Sequence, residues 1–192
     1  MFYFKERKKH PLILKNPALL IIDMQNYFLD PHSPAYLHGA ERIIPNIKKI
    51  VSQAFAKEIP VVMTVHIGGN ENMKNWWGNI VQENWANPFF KENKIELIKK
   101  DTYDAFWQTD LDQKLKSNNI KDIIITGVMT HLCCETTARS AFVRGYNVIM
   151  VEDALWDKDE FYHFSSLKNL AHGFATISKT EEVVWHISQL PG

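Results

Sequence analysis

The chain has 192 residues, 45% hydrophobic and 23% charged, which suits one globular domain with a sizeable core. Lys plus Arg and Asp plus Glu both number 22, so no global field draws it to nucleic acid or to an anionic membrane. Its 2 cysteines, Cys133 and Cys134, are sequence neighbours, which argues against a disulfide framework and for a reducing, cytoplasmic compartment.

Residues 1–16 read as a basic N-terminal extension without an apolar stretch of signal-peptide length, followed by a single domain over 17–192. No window reaches the roughly 18 apolar residues of a membrane span, so no membrane partner is expected. Ala18–Asp23 is a continuous apolar run ending in an acid, the pattern of a strand buried on both faces. Residues 43–57 carry apolar side chains at helical spacing. Pro60–His66 is a second buried strand, broken by Gly68 and Gly69. A weaker strand lies within 94–100, a short amphipathic helix over Leu111–Ser117, and another strand over Asp122–Thr126. A helix is expected over roughly Glu135–Arg144, a strand at Val148–Val151, and a helix at Ser165–His172. A strand at Phe174–Ser178 and a helix at Glu181–Leu190 close the series. Strands alternating with helices predict right-handed crossovers and a six-stranded, mainly parallel sheet covered on both faces.

Two loops are longer than usual, 25–40 and 68–93, and the second is rich in aromatic residues. Phe28, Trp76, Trp77 and Phe106 suit the wall of a pocket for a small, flat substrate. Core packing serves Phe28 and Phe106 equally well, and the two tryptophans suit a subunit interface equally well.

Three polar residues end or follow predicted strands: Asp23, Lys100 and Cys133. Parallel strands bring their C-terminal ends to one edge, where open α/β folds build their sites. An acid, an amine and a thiol meeting there suit nucleophilic catalysis. The carboxylate takes the thiol proton, the ammonium steadies the anions, and the thiolate attacks an electrophilic carbon. A position near the start of a helix would favour the thiolate further. Each residue also has a plain alternative: buried packing for the cysteine, a turn for the acid, solvent for the lysine.

The segments DMQNYF at 23–28, KDTYDAF at 100–106 and GVMTHLCCETTA at 127–138 resemble, in order and spacing, three signatures of the isochorismatase-like cysteine hydrolases. The resemblance spans roughly residues 17–178. It implies a three-layer α/β/α sandwich, with Asp23 as general acid/base, Lys100 as its charge partner and Cys133 as nucleophile. It also implies a cis Val128–Met129 peptide and an oxyanion hole formed by the Met129 and Cys133 amides. Cys134 matches a commonly apolar position and reads as packing into the sheet. A small-molecule substrate and a homodimer or homotetramer are implied as well.

Nicotinamidases of that family carry a metal triad after the second strand. The matching positions here are Thr64, His66 and Asn70, a poor divalent set, so no metal or other cofactor is expected. His66 then serves structure or faces the substrate. His131 stands where nicotinamidases carry Asp and isochorismatases carry His, and either orients a substrate carbonyl or caps the helix. The expectation is a metal-independent hydrolase of a small amide-type C–N bond, working through a thioester. Two alternatives stand beside it: vinyl-ether hydrolysis by Asp23 acid catalysis, and an idle scaffold on the same fold.

Overall fold

The computed structural model describes residues 3–191. Residues 1, 2 and 192, at the outer ends of the expected extension and domain, lie outside the described residues. Six strands form one sheet: β1 (Pro17–Ile22), β2 (Val61–His66), β3 (Ile95–Lys100), β4 (Asp122–Val128), β5 (Asn147–Trp156) and β6 (Thr176–Ser178). Their order is β3-β2-β1-β4-β5-β6, and every neighbouring pair is parallel. The helices are α1 (Phe4–Lys9), α2 (Asn26–Leu29), α3 (Ile44–Ala56), α4 (Glu71–Trp77), α5 (Leu111–Ser117), α6 (Glu135–Val143), α7 (Glu160–Gly173) and α8 (Thr180–Ser188).

The strand alternation sorts the core into two layers. Leu20 and Ile22 of β1 join Ile123 and Ile125 of β4 beneath α5, α6 and α7. Leu19 and Ile21 face the other way, with Ile124, toward α3 and α8. All of these side chains are buried, each contributing about 2–3 kcal/mol. So anchored, β1 and β4 hold their C-terminal ends rigid, and that is where the site is built. The strand β3 reads weakly because it is an edge: its burial is broken by exposed Glu96 and Lys99, charges that discourage pairing with another chain.

Two elements run longer than their sequence pattern suggests. The strand β5 continues past Val151 to Trp156, and a register shift against β4 sets Gly127 opposite Leu155 while Ile125 faces Met150. Glu152 and Asp153, which interrupt the apolar run, are used across the fold. Glu152 accepts from the Tyr3 hydroxyl, and Asp153 Oδ1 accepts from the Thr180 amide and hydroxyl, both at 2.8 Å. The helix α7 starts at Glu160 because the Asp159 carboxylate accepts from the Tyr162 amide at 3.0 Å, an N-cap. Residues 4–9 form α1, which packs on α7 and β6, with Arg7 paired to Glu182.

Gly127 shows how tightly the strand ends are pressed together. Its φ is +109°, and a Cβ there would stand 2.1 Å from the Ile22 carbonyl oxygen. We expect Gly127→Ala to lower stability by about 3 kcal/mol, from left-handed strain and displaced backbone together, read as a shift in the urea midpoint.

Candidate active site

Asp23 follows β1 directly and is fully buried, with a positive φ of 50°. Its Oδ1 accepts from the Thr64 hydroxyl at 2.6 Å, and its amide donates to Thr64 Oγ1 at 3.2 Å. Its Oδ2 accepts from Lys100 Nζ at 2.6 Å, and neither side chain has any exposure. Lys100 is the last residue of β3 and crosses under β2 to reach this acid. The same ammonium donates to the Thr102 carbonyl at 2.9 Å and to Cys133 Sγ at 3.4 Å. Burial pulls the Lys100 ammonium down, but the Asp23 carboxylate and the Cys133 sulfur outweigh it, and its pKa lies above the usual lysine value.

Cys133 sits in a π-helical turn, Thr130–Cys134, between the cis Val128–Met129 peptide and α6. Both thiols are free and buried. Burial pushes the Cys133 thiol well above the usual thiol range; the Lys100 charge opposes this and the Asp23 carboxylate adds to it. The helix-start argument from sequence predicted the opposite direction, and desolvation wins. Cys134 is also raised well above the usual thiol value, first by burial and then by Cys133, and lies in the same core layer as Ala138.

A cavity of about 540 Å³ opens over Cys133, with His66, Met129 and His131 in its wall. Phe28 and Trp77 line it too, joined by Tyr27, Tyr36, Tyr103 and Tyr162. Trp77 is held there by Nε1 donating to the Tyr103 hydroxyl at 2.6 Å. Two aromatic residues expected in the wall are elsewhere. Trp76 is 81% exposed on α4, because successive residues of a helix point in different directions and Trp77 takes the inward one. Phe106 is in the core, stacked on Tyr146 at 6.1 Å, because the loop after Lys100 is tied to α6 by the Ala105 amide donating to Thr137 Oγ1 at 3.1 Å.

An isochorismatase domain profile matches residues 17–182, which contain all three of these buried polar side chains and the six strands. The chain belongs to the isochorismatase family. It is 34% identical to nicotinamidase 3 of Arabidopsis thaliana, over 90% of this chain and 88% of that protein. It is 28% identical to N-carbamoylsarcosine amidase of an Arthrobacter species, over 91% of this chain and 72% of that protein. Among solved structures, a cysteine hydrolase from Pseudomonas syringae pv. phaseolicola 1448A superposes with a TM-score of 0.85 at 26% identity, covering 93% and 95% of the two chains. The protein is thus an isochorismatase-family hydrolase with amidases among its relatives.

The donor set of this isochorismatase-family site does not fit a divalent metal. Ligand atoms of Asp23, His66 and Cys133 all lie within 4.8 Å of one another, but Lys100 Nζ already supplies the positive charge among them. It stands 3.5 Å from His66 Nδ1 as well. The other two positions aligned with the nicotinamidase metal triad have different tasks. Thr64 holds Asp23, and Asn70 caps α4 by accepting from the Met73 amide at 3.0 Å. His66 is fixed by Gln25, which accepts from its amide at 2.6 Å and donates to its carbonyl at 2.9 Å. Burial, and then the Lys100 charge, lower the His66 pKa to about 4, so its ring is neutral near pH 7. Its Nε2 is buried without a protein partner among the described residues.

Two residues of the site escaped the sequence reading: Gln25, and Asp157 just past the end of β5. Asp157 is fully buried and carries His131, whose Nδ1 lies 2.8 Å from both carboxylate oxygens. No positional signal was available, because the apolar run of β5 reads as ending at Val151 while the strand continues to Trp156.

Proposed function

We propose that the protein hydrolyses the C–N bond of a small amide, with Cys133 as nucleophile, Asp23 as general acid/base and Lys100 as the cation that serves both. The bridging position of Lys100 Nζ, 2.6 Å from Asp23 and 3.4 Å from Cys133, carries this reading. Passing the thiol proton to Asp23 creates no new buried charge. The ammonium exchanges a carboxylate partner for a thiolate partner already in contact, and the net charge of the cluster stays the same. This matters because burying one more unpaired ion would cost several kcal/mol. A thiol held neutral at rest by burial is therefore compatible with a nucleophile that ionises only as the substrate covers it.

In the first half-reaction the sulfur attacks the carbonyl carbon. The oxyanion is received by the Met129 and Cys133 amides, worth about 3–4 kcal/mol per donor in comparable sites. Asp23 returns the proton to the nitrogen, the C–N bond breaks, and the acyl group remains on Cys133 as a thioester. The relatives named as amidases support the bond type. The aromatic wall and the volume of about 540 Å³ favour a small, flat acyl group. His66 Nε2 is left to bond the substrate. No step is routed through a metal, since the cation position belongs to Lys100.

The test is release of ammonia or amine from a panel of small aromatic and carbamoyl amides, with isochorismate included. Turnover of an amide with a trapped acyl–Cys133 adduct is the expected result. Turnover of isochorismate alone, with no adduct, would overturn the reading.

A further inference from the structure

The dyad of His131 and Asp157 stands on the cavity wall and takes no part in the acylation just described. Three donors converge on the buried Asp157 carboxylate. The His131 amide reaches Oδ2 at 2.7 Å, the Lys158 amide reaches Oδ1 at 2.7 Å, and His131 Nδ1 lies 2.8 Å from both oxygens. A carboxylate accepts only, so Nδ1 carries a hydrogen, and in the neutral ring the lone pair is on Nε2. The ring is also clamped by stacking on Tyr162, with centroids 4.3 Å apart. Its side chain is 23% exposed and lines the same cavity as Cys133. Among the described residues no protein atom bonds Nε2. Asp23, which serves the acylation step from the sulfur side, is fully buried and bonded at Oδ1 to Thr64 and at Oδ2 to Lys100.

We propose that His131, oriented by Asp157, is the base that activates water for hydrolysis of the acyl–Cys133 thioester. This rests on the nucleophile reading above and divides the reaction between two bases, Asp23 beneath the sulfur and His131 on the solvent side. Nε2 takes a proton from water as the oxygen forms its bond to the acyl carbon. The tetrahedral intermediate expels the Cys133 sulfur with the electron pair of the C–S bond. The proton held by His131 then passes to that sulfur, giving the carboxylic acid and the free thiol. His131 acts on the reacting water and is a catalytic residue; Asp157 is a positioning residue.

The probe is p-nitrophenyl acetate, which acylates a thiol and reports each acylation as nitrophenolate. His131→Gln is expected to show a burst of about one nitrophenolate per chain while steady-state turnover falls at least about 100-fold, the usual worth of a positioned base. The acetyl adduct on Cys133 then accumulates and is seen by intact mass. In His131→Ala, added imidazole is expected to restore deacylation, a rescue that a structural role would not show. Asp157→Asn is expected to slow deacylation in the same sense. Unchanged steady-state turnover in His131→Gln, or reduced turnover without accumulation of the acetyl adduct, would overturn the role of His131. If p-nitrophenyl acetate leaves no acetyl group on Cys133 in either the native protein or His131→Gln, the nucleophile reading falls, and this proposal with it.

Discussion

Replacing Cys133 with Ala is expected to reduce amide turnover by on the order of 10⁴-fold or more, with the fold retained. The size follows from the mechanism: the acyl intermediate forms on Cys133, the one thiol that lines the cavity among the described residues. Cys134, the neighbouring thiol, is fully buried in the core, and burial raises its pKa well above the usual thiol value. Stability should change by no more than about 1 kcal/mol, because only one sulfur is removed and Lys100 keeps the Asp23 carboxylate and the Thr102 carbonyl. Alkylation supplies an independent check. Iodoacetamide should modify the native protein once and the folded variant not at all. Amide turnover that survives the substitution would remove Cys133 from the mechanism. Isochorismate turnover that survives it, yet disappears in Asp23→Asn, would shift the site to acid catalysis of a vinyl ether.

The three residues of this cluster were legible because each stands in a fixed relation to its own strand. Asp23 follows β1, Lys100 ends β3, and Cys133 lies in the turn after β4. A buried parallel strand is easily recognised, and its C-terminal end is the productive edge of such a sheet. The sheet order adds what the sequence could not supply. β2 separates β1 from β3, so the long lysine side chain is needed to reach Asp23 across it. The residues that escaped depend on distant partners. Asp157 lies well beyond the apolar run that marks β5, and only the turn at Thr130–Cys134 brings His131 onto it. Glu152 and Asp153 read as the end of a strand because the sequence does not reveal Tyr3 and Thr180 waiting to satisfy them. The aromatic wall was half legible. Phe28 and Trp77 line the cavity, while Trp76 and Phe106 do not, and local pattern cannot tell which of two adjacent tryptophans turns inward.

Lys100→Met is expected to be both inactive and destabilised by about 3–5 kcal/mol, measured by urea unfolding at pH 7. The cause is the stranded partner. Asp23 keeps its bond from Thr64 but loses the only cation in contact with it among the described residues, with no water-exposed surface to compensate. In the native protein the Lys100 pKa is raised, so its contribution is fully present below about pH 10.5 and is lost only as pH rises through the folded value. The native pair therefore holds across the neutral range, and the deficit of the variant is not masked there. The double variant Asp23→Asn, Lys100→Met separates structure from catalysis. With both charges gone and the Thr64 contact still possible through the amide, at least about 2 kcal/mol of the single variant's loss should return, a non-additive coupling. Activity should not return. Recovery of stability without activity would show that the ion pair is retained for proton transfer to and from Cys133. A double variant as unstable as Lys100→Met would instead make the pair a structural strut of the β1 and β3 ends.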